Sequence, residues 1–597
     1  MNNKQNKDNE NSVSRRDFLN MSTGIASGLV GAISLSGLGA SLGWAENIVK
    51  VDVKNMKDTQ KEVDVLVIGS GMAGLFAAVK AHDAGVNVMI VSKGGLGTSG
   101  QTPFAKGIFS YDEKKEKLNI DDYVAKVSRS ALGTNNETYT RQMALNSKAR
   151  VQDLKEWGFF DSALCRNSFA KPINERNIPM MERTMITHLI KEDGKIAGVA
   201  GFNLDDEETY IFKAKSVILC TGAGGFKPNG FPLCDLTHDG TIMAYDIGAK
   251  VTGKEWNDGH PGKAKDSADS FGNWRDMFEK TPTTTGVGVR HDLGVDLNYK
   301  AYISGNSVKM GPPGSQVNDN ITGGPYTPAE FARIEGPGGP GENGGPPEHE
   351  GDRKGPPPGK EGKGLPPGMS ADAVGGSTAG LAIHKSEGLV PINDKCESTI
   401  KGLYAAGDAL GSYMAGGIYT QIGSSLAGSA VQGAVAGEAS AHYSKTIDMP
   451  SISDKKIKKI KAEILAPLKK EAGYSPAWVT QTLQGIMIPN FVLYIKKENM
   501  LKGALAYIEE LRDSHIPHLK AKDMHELRLA HETKNMIISA EMKLKASLMR
   551  KESRCSHYRL DYPELDNKNW QAWINIYKSK KGKMKFEKQP FGTWPKV

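Results

Sequence analysis

Cysteine is scarce in this chain of 597 residues. Its five cysteines are Cys165, Cys220, Cys234, Cys396 and Cys555, and no two of them form a Cys-x-x-Cys pair. That spacing argues against a zinc ribbon, an iron–sulfur cluster or a c-type haem carried by the chain itself. Cys220 sits in an apolar strand-like run and reads as a buried structural residue. Motifs for RNA or DNA binding are missing too, as is any short basic domain. The net charge of +8 is spread over the whole length, so it reads as solubility and a Lys-rich C-terminal region, not as a nucleic-acid surface. With 39% hydrophobic and 24% charged residues the balance is globular, neither disordered nor membrane-spanning. The length is too great for one core and predicts three or four units.

The first thirteen residues are polar. Ser14-Arg15-Arg16-Asp17-Phe18-Leu19 follows, then a Gly-, Ser- and Leu-rich stretch to about Trp44, with small residues at Gly43 and Ala45 that suit a signal peptidase. The pattern predicts a twin-arginine signal over residues 1–45, against the alternative of a lone N-terminal membrane anchor. Such a signal exports folded proteins, so a cofactor can be inserted before transport. The expected location is the periplasm or the outer face of the cytoplasmic membrane.

Beyond the signal, Val63–Ile68 is a continuous apolar strand signal. Gly69-Ser70-Gly71-Met72-Ala73-Gly74 follows it directly. Leu75 to Ala84 reads as a small-residue helix and Val86–Val91 as a second strand. The three glycines serve a tight turn, close approach to a pyrophosphate and close helix–strand packing, and the helix N-terminus faces the phosphates. The unit is therefore expected to bind a dinucleotide. Its second strand ends in Ser92-Lys93, without the acidic residue that would hold a ribose hydroxyl, which weakens a simple NAD reading. Ala214–Gly225 is a further strand ending in a glycine turn. Gly402-Leu403-Tyr404-Ala405-Ala406-Gly407-Asp408 is a short strand running into Gly-Asp, where FAD proteins place an Asp against the ribitol chain. Together the three segments predict one FAD-binding domain interrupted by insertions.

Taken in order, these segments resemble the flavoprotein subunits of fumarate reductase, succinate dehydrogenase and adenylylsulfate reductase. The resemblance runs from about Glu62 to the C-terminus with a poor middle. Supporting segments are Glu156-Trp157-Gly158, His238-Asp239-Gly240 through Gly248, Glu255 to His260-Pro261, and the specific run from Arg550 to Asp561, preceded by Glu526-Leu527 and Asn535 to Met542. The resemblance implies an α/β fold: a Rossmann-like FAD-binding domain, interrupted by a capping domain and followed by a C-terminal helical domain. The expected boundaries are 46–235 and 376–445 for the FAD-binding domain, 236–375 for the capping and substrate domain, and 446–597 for the helical domain, which occurs in relatives that dock an iron–sulfur subunit.

It also implies the site. The FAD contacts carried over are Gly69, Gly71, Met72, Ala73, Gly74, Ser92, Lys93, Thr98, Ser99, Gly100, Thr221, Gly222, Asp239, Asp408, Ser424, Ser425 and Leu426. His260 is the matched residue that the family points at its substrate. Arg290 and Arg333 are the candidates for the family's proton-donating arginine. Three departures stand out. The covalent members attach FAD to a His, whereas this chain reads Thr98-Ser99-Gly100-Gln101-Thr102, which implies non-covalent FAD. The family's "HxTMGG" segment is represented by Gly375-Gly376-Ser377-Thr378-Ala379-Gly380, which has no His, and Ser377 is its candidate for substrate binding. Gln421 stands about where an Arg would grip a substrate carboxylate. A neutral amide lacks the bidentate, charge-assisted grip of a guanidinium, which speaks against fumarate or succinate as substrate.

Residues 323–369 are dense in Gly and Pro and keep no hydrophobic periodicity. Such composition does not offset its ordering entropy, so an exposed loop or strap is expected, either a remodelled lid or partner-wrapping arm or a tolerated insertion. From Ile452 to Met549 the sequence reads as amphipathic helices with apolar stripes for their own core.

The function implied is an exported FAD-dependent oxidoreductase that transfers hydride between flavin N5 and a small organic substrate. A separate iron–sulfur or cytochrome subunit would exchange the electrons, with any membrane association made through that partner, as in anaerobic respiration. The alternatives are a sulfur-oxyanion reductase of the adenylylsulfate reductase type and a flavin electron-transfer or assembly subunit without its own substrate.

Overall fold

The computed structural model describes residues 51, 53, 56–103, 108–116, 118–161, 164–227, 235–257, 262–263, 282–283, 373–374, 385–417, 423–488, 490–493 and 495–596. The expected signal over 1–45 and the Gly/Pro-rich stretch 323–369 lie outside them.

Strand β1 (Asp58–Ile68) starts with alternating exposure and finishes in four fully buried residues. A strand that enters the middle of a two-faced layer shows that change. Helix α1 (Met72–Asp83) follows after three residues. It starts earlier than the sequence reading because Gly71 serves as its N-cap, and Lys80 and His82 occupy its last turn, where the helix dipole favours positive charge. Strand β2 (Val88–Val91) lies parallel to β1, with Val65 opposite Val88 and Ile68 opposite Val91. Helices α2 (Ile120–Ser130) and α3 (Glu137–Glu156) are capped by the side chains of Asn119 and Asn136. Strands β3 (Met180–Met181), β4 (Thr184–Glu192), β5 (Lys195–Asn203) and β6 (Thr209–Leu219) complete the run.

Strand β6 pairs in parallel with β1 along its whole length, from Asp58 opposite Thr209 to Ile68 opposite Leu219. Its first half also pairs with β5, antiparallel. Helix α4 (Asp239–Asp246) and the short antiparallel pair β7 (Val251–Thr252) and β8 (Gly388–Leu389) come next. The chain then returns as β9 (Leu403–Ala405), which lies parallel to the second half of β6 with Leu403 opposite Val217. Among the described residues this gives a seven-stranded sheet in the order β3-β2-β1-β6-β5-β4 with β9 beside β6. Four parallel strands, β1, β2, β6 and β9, end at the same edge. Open α/β sheets bind ligands beyond that edge.

Helix α5 (Ser424–Ser444) covers the sheet beside α1, and both helices are almost wholly buried. They lie unusually close. A Cβ on Gly433 or Gly437 would stand 2.3 or 2.4 Å from the carbonyl oxygen of Ala73 or Ala77. The C-terminal region holds α6 (Asp454–Ile464), α7 (Pro476–Met487), α8 (Glu498–Glu510) and α9 (Met524–Met549). Its own core is built from residues such as Val479, Leu483, Leu501, Ile508, Met536 and Ile537. Strands β10 (Ala572–Lys578) and β11 (Met584–Pro590) form a hairpin, and β10 joins β7.

Candidate cofactor and active site

The ends of the four parallel strands surround a cleft of about 870 Å³ that is open to solvent. Its floor is the turn after β1. Gly69 has a φ of +108°, and a Cβ there would lie 2.2 Å from the Cys220 carbonyl oxygen at the end of β6. A Cβ on Gly74 would lie 2.0 Å from the Gly69 carbonyl oxygen. Only glycine allows this turn and the strand–helix contact to coexist. Gly71 lines the cleft at the start of α1, where free amides and the helix dipole favour a phosphate. The Thr102 hydroxyl already accepts the Met72 amide at 3.1 Å, which pins the next loop against this turn.

The loop after β2 forms a second wall. Ser70 donates to Ser92 at 2.7 Å, so the first two strand ends are tied together. Lys93 turns toward α4 and the C-terminal region. Its ammonium lies 2.7 Å from Asp239, 2.9 Å from the Thr237 hydroxyl and 2.7 Å from Glu532 of α9. Lys227 also pairs with Glu532, and Asn535 donates to Asp239 at 2.9 Å. Burial alone would lower the Lys93 pKa, but the two carboxylates outweigh it and raise the value. Burial works to raise the Glu532 pKa, and Lys93, Lys227 and Arg528 pull it down to about 2.

The third wall is Asp408, after β9. It lines the cleft, and on its far side it is paired with the buried ammonium of Lys385. The amide of Gly100 donates to Asp235 at 2.9 Å, closing the rim.

Of the residues expected to contact FAD, Gly69, Gly71, Met72, Ala73, Ser92, Lys93, Ser99, Gly100, Thr221, Gly222, Asp239 and Asp408 line the cleft. Gly74 lies behind it as a packing residue, Thr98 within the turn that follows Gly95, and Ser424, Ser425 and Leu426 in the first turn of α5. His260, Arg290, Arg333, Ser377 and Gln421 lie outside the described residues. The sequence reading overlooked Asp235, Ser429, Lys385 and Glu532. The first two line the cleft, and the last two hold cleft residues from behind. Glu532 stands 439 positions from Lys93, and no local pattern joins the two.

A second buried cluster adjoins α4. Glu387 accepts from His238 at 3.0 Å and pairs with Lys254, which also donates to Ser539 at 2.9 Å. Burial and the neighbouring Lys254 lower the Lys543 pKa to about 8, despite the opposing pull of Glu387 and Glu255. None of these residues was singled out in the sequence for such a role, because each belongs to a different segment.

The cleft fits FAD. It has a glycine cradle that side chains would fill, a helix N-terminus for phosphates and an acidic residue for a sugar hydroxyl. Comparison with known proteins gives the same class. The model of the FAD-dependent oxidoreductase family matches residues 64–227, and that of the fumarate reductase flavoprotein C-terminus matches residues 480–595. A FAD-dependent oxidoreductase of uncharacterised role from Methanocaldococcus jannaschii is 26% identical, over 89% of this chain and 99% of its own. One subunit of the fumarate reductase (CoM/CoB) of Methanothermobacter marburgensis is 26% identical, over 85% of this chain and 96% of its own. Among solved structures, adenosine-5-phosphosulfate reductase in complex with sulfite superposes with a TM-score of 0.69 at 20% identity, covering 92% of this chain and 98% of its own. The quinol fumarate reductase of E. coli gives 0.67 at 16% identity, covering 90% and 98%. At those identities the two structures establish the fold.

Fold and site together define an FAD-dependent oxidoreductase. Over most of its length the chain is similar to the flavoprotein subunits of that class, and its residues 480–595 match the fumarate reductase flavoprotein C-terminus.

Proposed function

We propose that this chain is an exported flavoenzyme that exchanges hydride with a small organic substrate and passes electrons to a separate iron–sulfur or cytochrome subunit. The observation that carries the reading is the cleft at the shared edge of β1, β2, β6 and β9, with its glycine cradle and with Asp408 in its wall. Bound FAD would supply two-electron chemistry at N5. The chain's own residues do the rest. The amides at the start of α1 receive the pyrophosphate, Asp408 accepts a hydroxyl, and the Thr98–Thr102 loop shapes the outer wall. Among the described residues that line the cleft there is no histidine, which supports non-covalent FAD. Because the sequence has no cluster-binding cysteine pairs, electrons leave through a partner. The twin-arginine pattern at Ser14–Leu19 supports export with FAD already bound. Gln421 in place of a charged family residue, and a Ser377 segment without a His, favour a substrate held less by carboxylate pairing than fumarate is.

The test is anaerobic. The purified holoprotein, reduced with dithionite or a viologen dye, is offered a panel of α,β-unsaturated carboxylic acids, esters and ketones, and in parallel sulfite and adenylylsulfate. Reoxidation by one of the unsaturated compounds supports the proposal. Reoxidation by the sulfur oxyanions alone overturns it in favour of a sulfur-oxyanion reductase. No reoxidation by any of them overturns it in favour of an electron-transfer subunit.

A further inference from the structure

Lys385 is an unusual residue in an unusual place. Its side chain is fully buried, and its backbone is held at a φ of +62°, a left-handed conformation that few non-glycine residues adopt. Both features cost free energy, and backbone strain of this kind clusters at functional sites. The neighbourhood is arranged around the ammonium. It pairs with Asp408 and lies 3.0 Å from the Ser429 hydroxyl and 3.4 Å from that of Ser425. Gly428 leaves room for Met414 and for the lysine stem, since a Cβ there would lie 2.3 Å from the Met414 Sδ and 3.1 Å from the lysine Cε. Asp408 and Ser429 both line the cofactor cleft, and Lys385 stands directly behind them.

The electrostatics follow from that placement. A carboxylate in a low-dielectric wall opposes any process that brings more negative charge beside it. Reduction of a flavin does so. A lysine paired with that carboxylate offsets its field, so the positive end of α5 acts on the cleft unopposed by it.

We propose that Lys385 is a positioning residue that sets the reduction potential of the bound flavin by neutralising Asp408 in the wall of the cleft. The proposal rests on FAD occupying this cleft and is independent of the substrate.

The test is the midpoint potential of the holoprotein, measured by equilibration with reference dyes, for the wild type, Lys385→Met, Lys385→Arg and Asp408→Asn. In Lys385→Met the ratio of reduced to oxidised flavin at a fixed potential falls at least tenfold, a shift of about 30 mV to more negative values for a two-electron couple. Lys385→Arg keeps the charge and stays within threefold of the wild type. Asp408→Asn, which keeps the lysine and removes its partner, shifts the potential the opposite way. A purely structural lysine would change thermal stability and FAD retention without these opposed shifts. The proposal is overturned if Lys385→Met and Asp408→Asn leave the potential within twofold of the wild-type ratio, or move it in the same direction. Should Lys385→Met fail to retain FAD, the double variant Lys385→Met/Asp408→Asn decides. Recovery of FAD supports charge balance, and a double variant as empty as the single one overturns it.

Discussion

At the residue scale, the cofactor site depends on positions where one atom decides the outcome. Gly74 is the sharpest case, because a methyl there would stand 2.0 Å from a backbone oxygen that has no freedom to retreat. Gly74→Ala is expected to lose FAD on gel filtration and to cost about 1–3 kcal/mol of stability, as overpacked sites do. Retention of full FAD content by that variant would contradict the account. Glu532 decides in another way. Its carboxylate is fully buried between Lys93 and Lys227, and its pKa falls from 4.5 to about 2. A carboxyl group lowered on folding stabilises the fold above its unfolded value and loses that contribution as pH falls. A shift of this size corresponds to on the order of 3 kcal/mol. Thermal melts of the wild type are therefore expected to lose stability between about pH 4.5 and pH 2. Glu532→Gln removes that part of the slope and costs about 3–5 kcal/mol at neutral pH, because Lys227 loses this carboxylate and Lys93 is left with Asp239. An unchanged pH slope in the variant would contradict this.

At the scale of elements, the contact between α1 and α5 is the feature that shapes the site. Gly433 and Gly437 let the two helices approach until backbone meets backbone. That approach brings Ser429 and the first turn of α5 beside Ala73 and Asp408. Gly437→Val would force the helices apart one turn beyond the cleft. The expected result is weaker FAD retention together with a lower melting temperature. A change in stability alone, with full FAD content, would show that the cleft tolerates the displacement. Caps contribute at a smaller scale. Asp523 accepts the Glu526 amide at 2.8 Å at the start of α9, and Asp523→Ala is expected to cost about 1 kcal/mol in a denaturant titration.

At the scale of the whole molecule, the C-terminal region is fastened to the rest by buried ions. The Arg550 guanidinium is fully buried. It binds Glu255 at 2.9 Å and Glu552 at 2.8 Å, donates to the Ala572 carbonyl at 2.6 Å, and sits over the rings of Trp256 and Trp570. Arg554 reaches the Leu132 carbonyl at 3.0 Å, and the Trp573 indole reaches that of Thr134 at 2.8 Å. The specific run from Arg550 to Asp561 thus has a structural reason, since Arg550 and Arg554 satisfy carbonyls of other segments and Arg559 satisfies those of Ser547 and Arg550 at the end of α9. Glu532 extends the same fastening to Lys93 at the cleft, so cofactor and C-terminal region stabilise one another. Free FAD at 100 times its dissociation constant adds about 2.7 kcal/mol to the folded state. Added FAD is expected to raise the melting temperature of cofactor-stripped protein in one cooperative transition. A separate, FAD-independent transition for the C-terminal region would contradict the coupling.

Much of this was legible in the sequence, for a local reason. Strand β1, the glycine turn and α1 are contiguous, so hydrophobic runs and glycine spacing displayed the first wall of the cleft. The Gly-Asp after β9 displayed the third, and the apolar stripes displayed the C-terminal helices. What the sequence determined by itself is the class of chemistry: a dinucleotide cradle with the marks of a flavin site and without cysteine pairs for clusters. Tertiary structure alone decided the charge balance of that site. Lys385 meets Asp408 and Glu532 meets Lys93 only because β9 returns to the first sheet and α9 packs against the loop after β2. Ion pairs between distant segments follow no periodicity, and only the folded chain brings their charges within hydrogen-bonding distance.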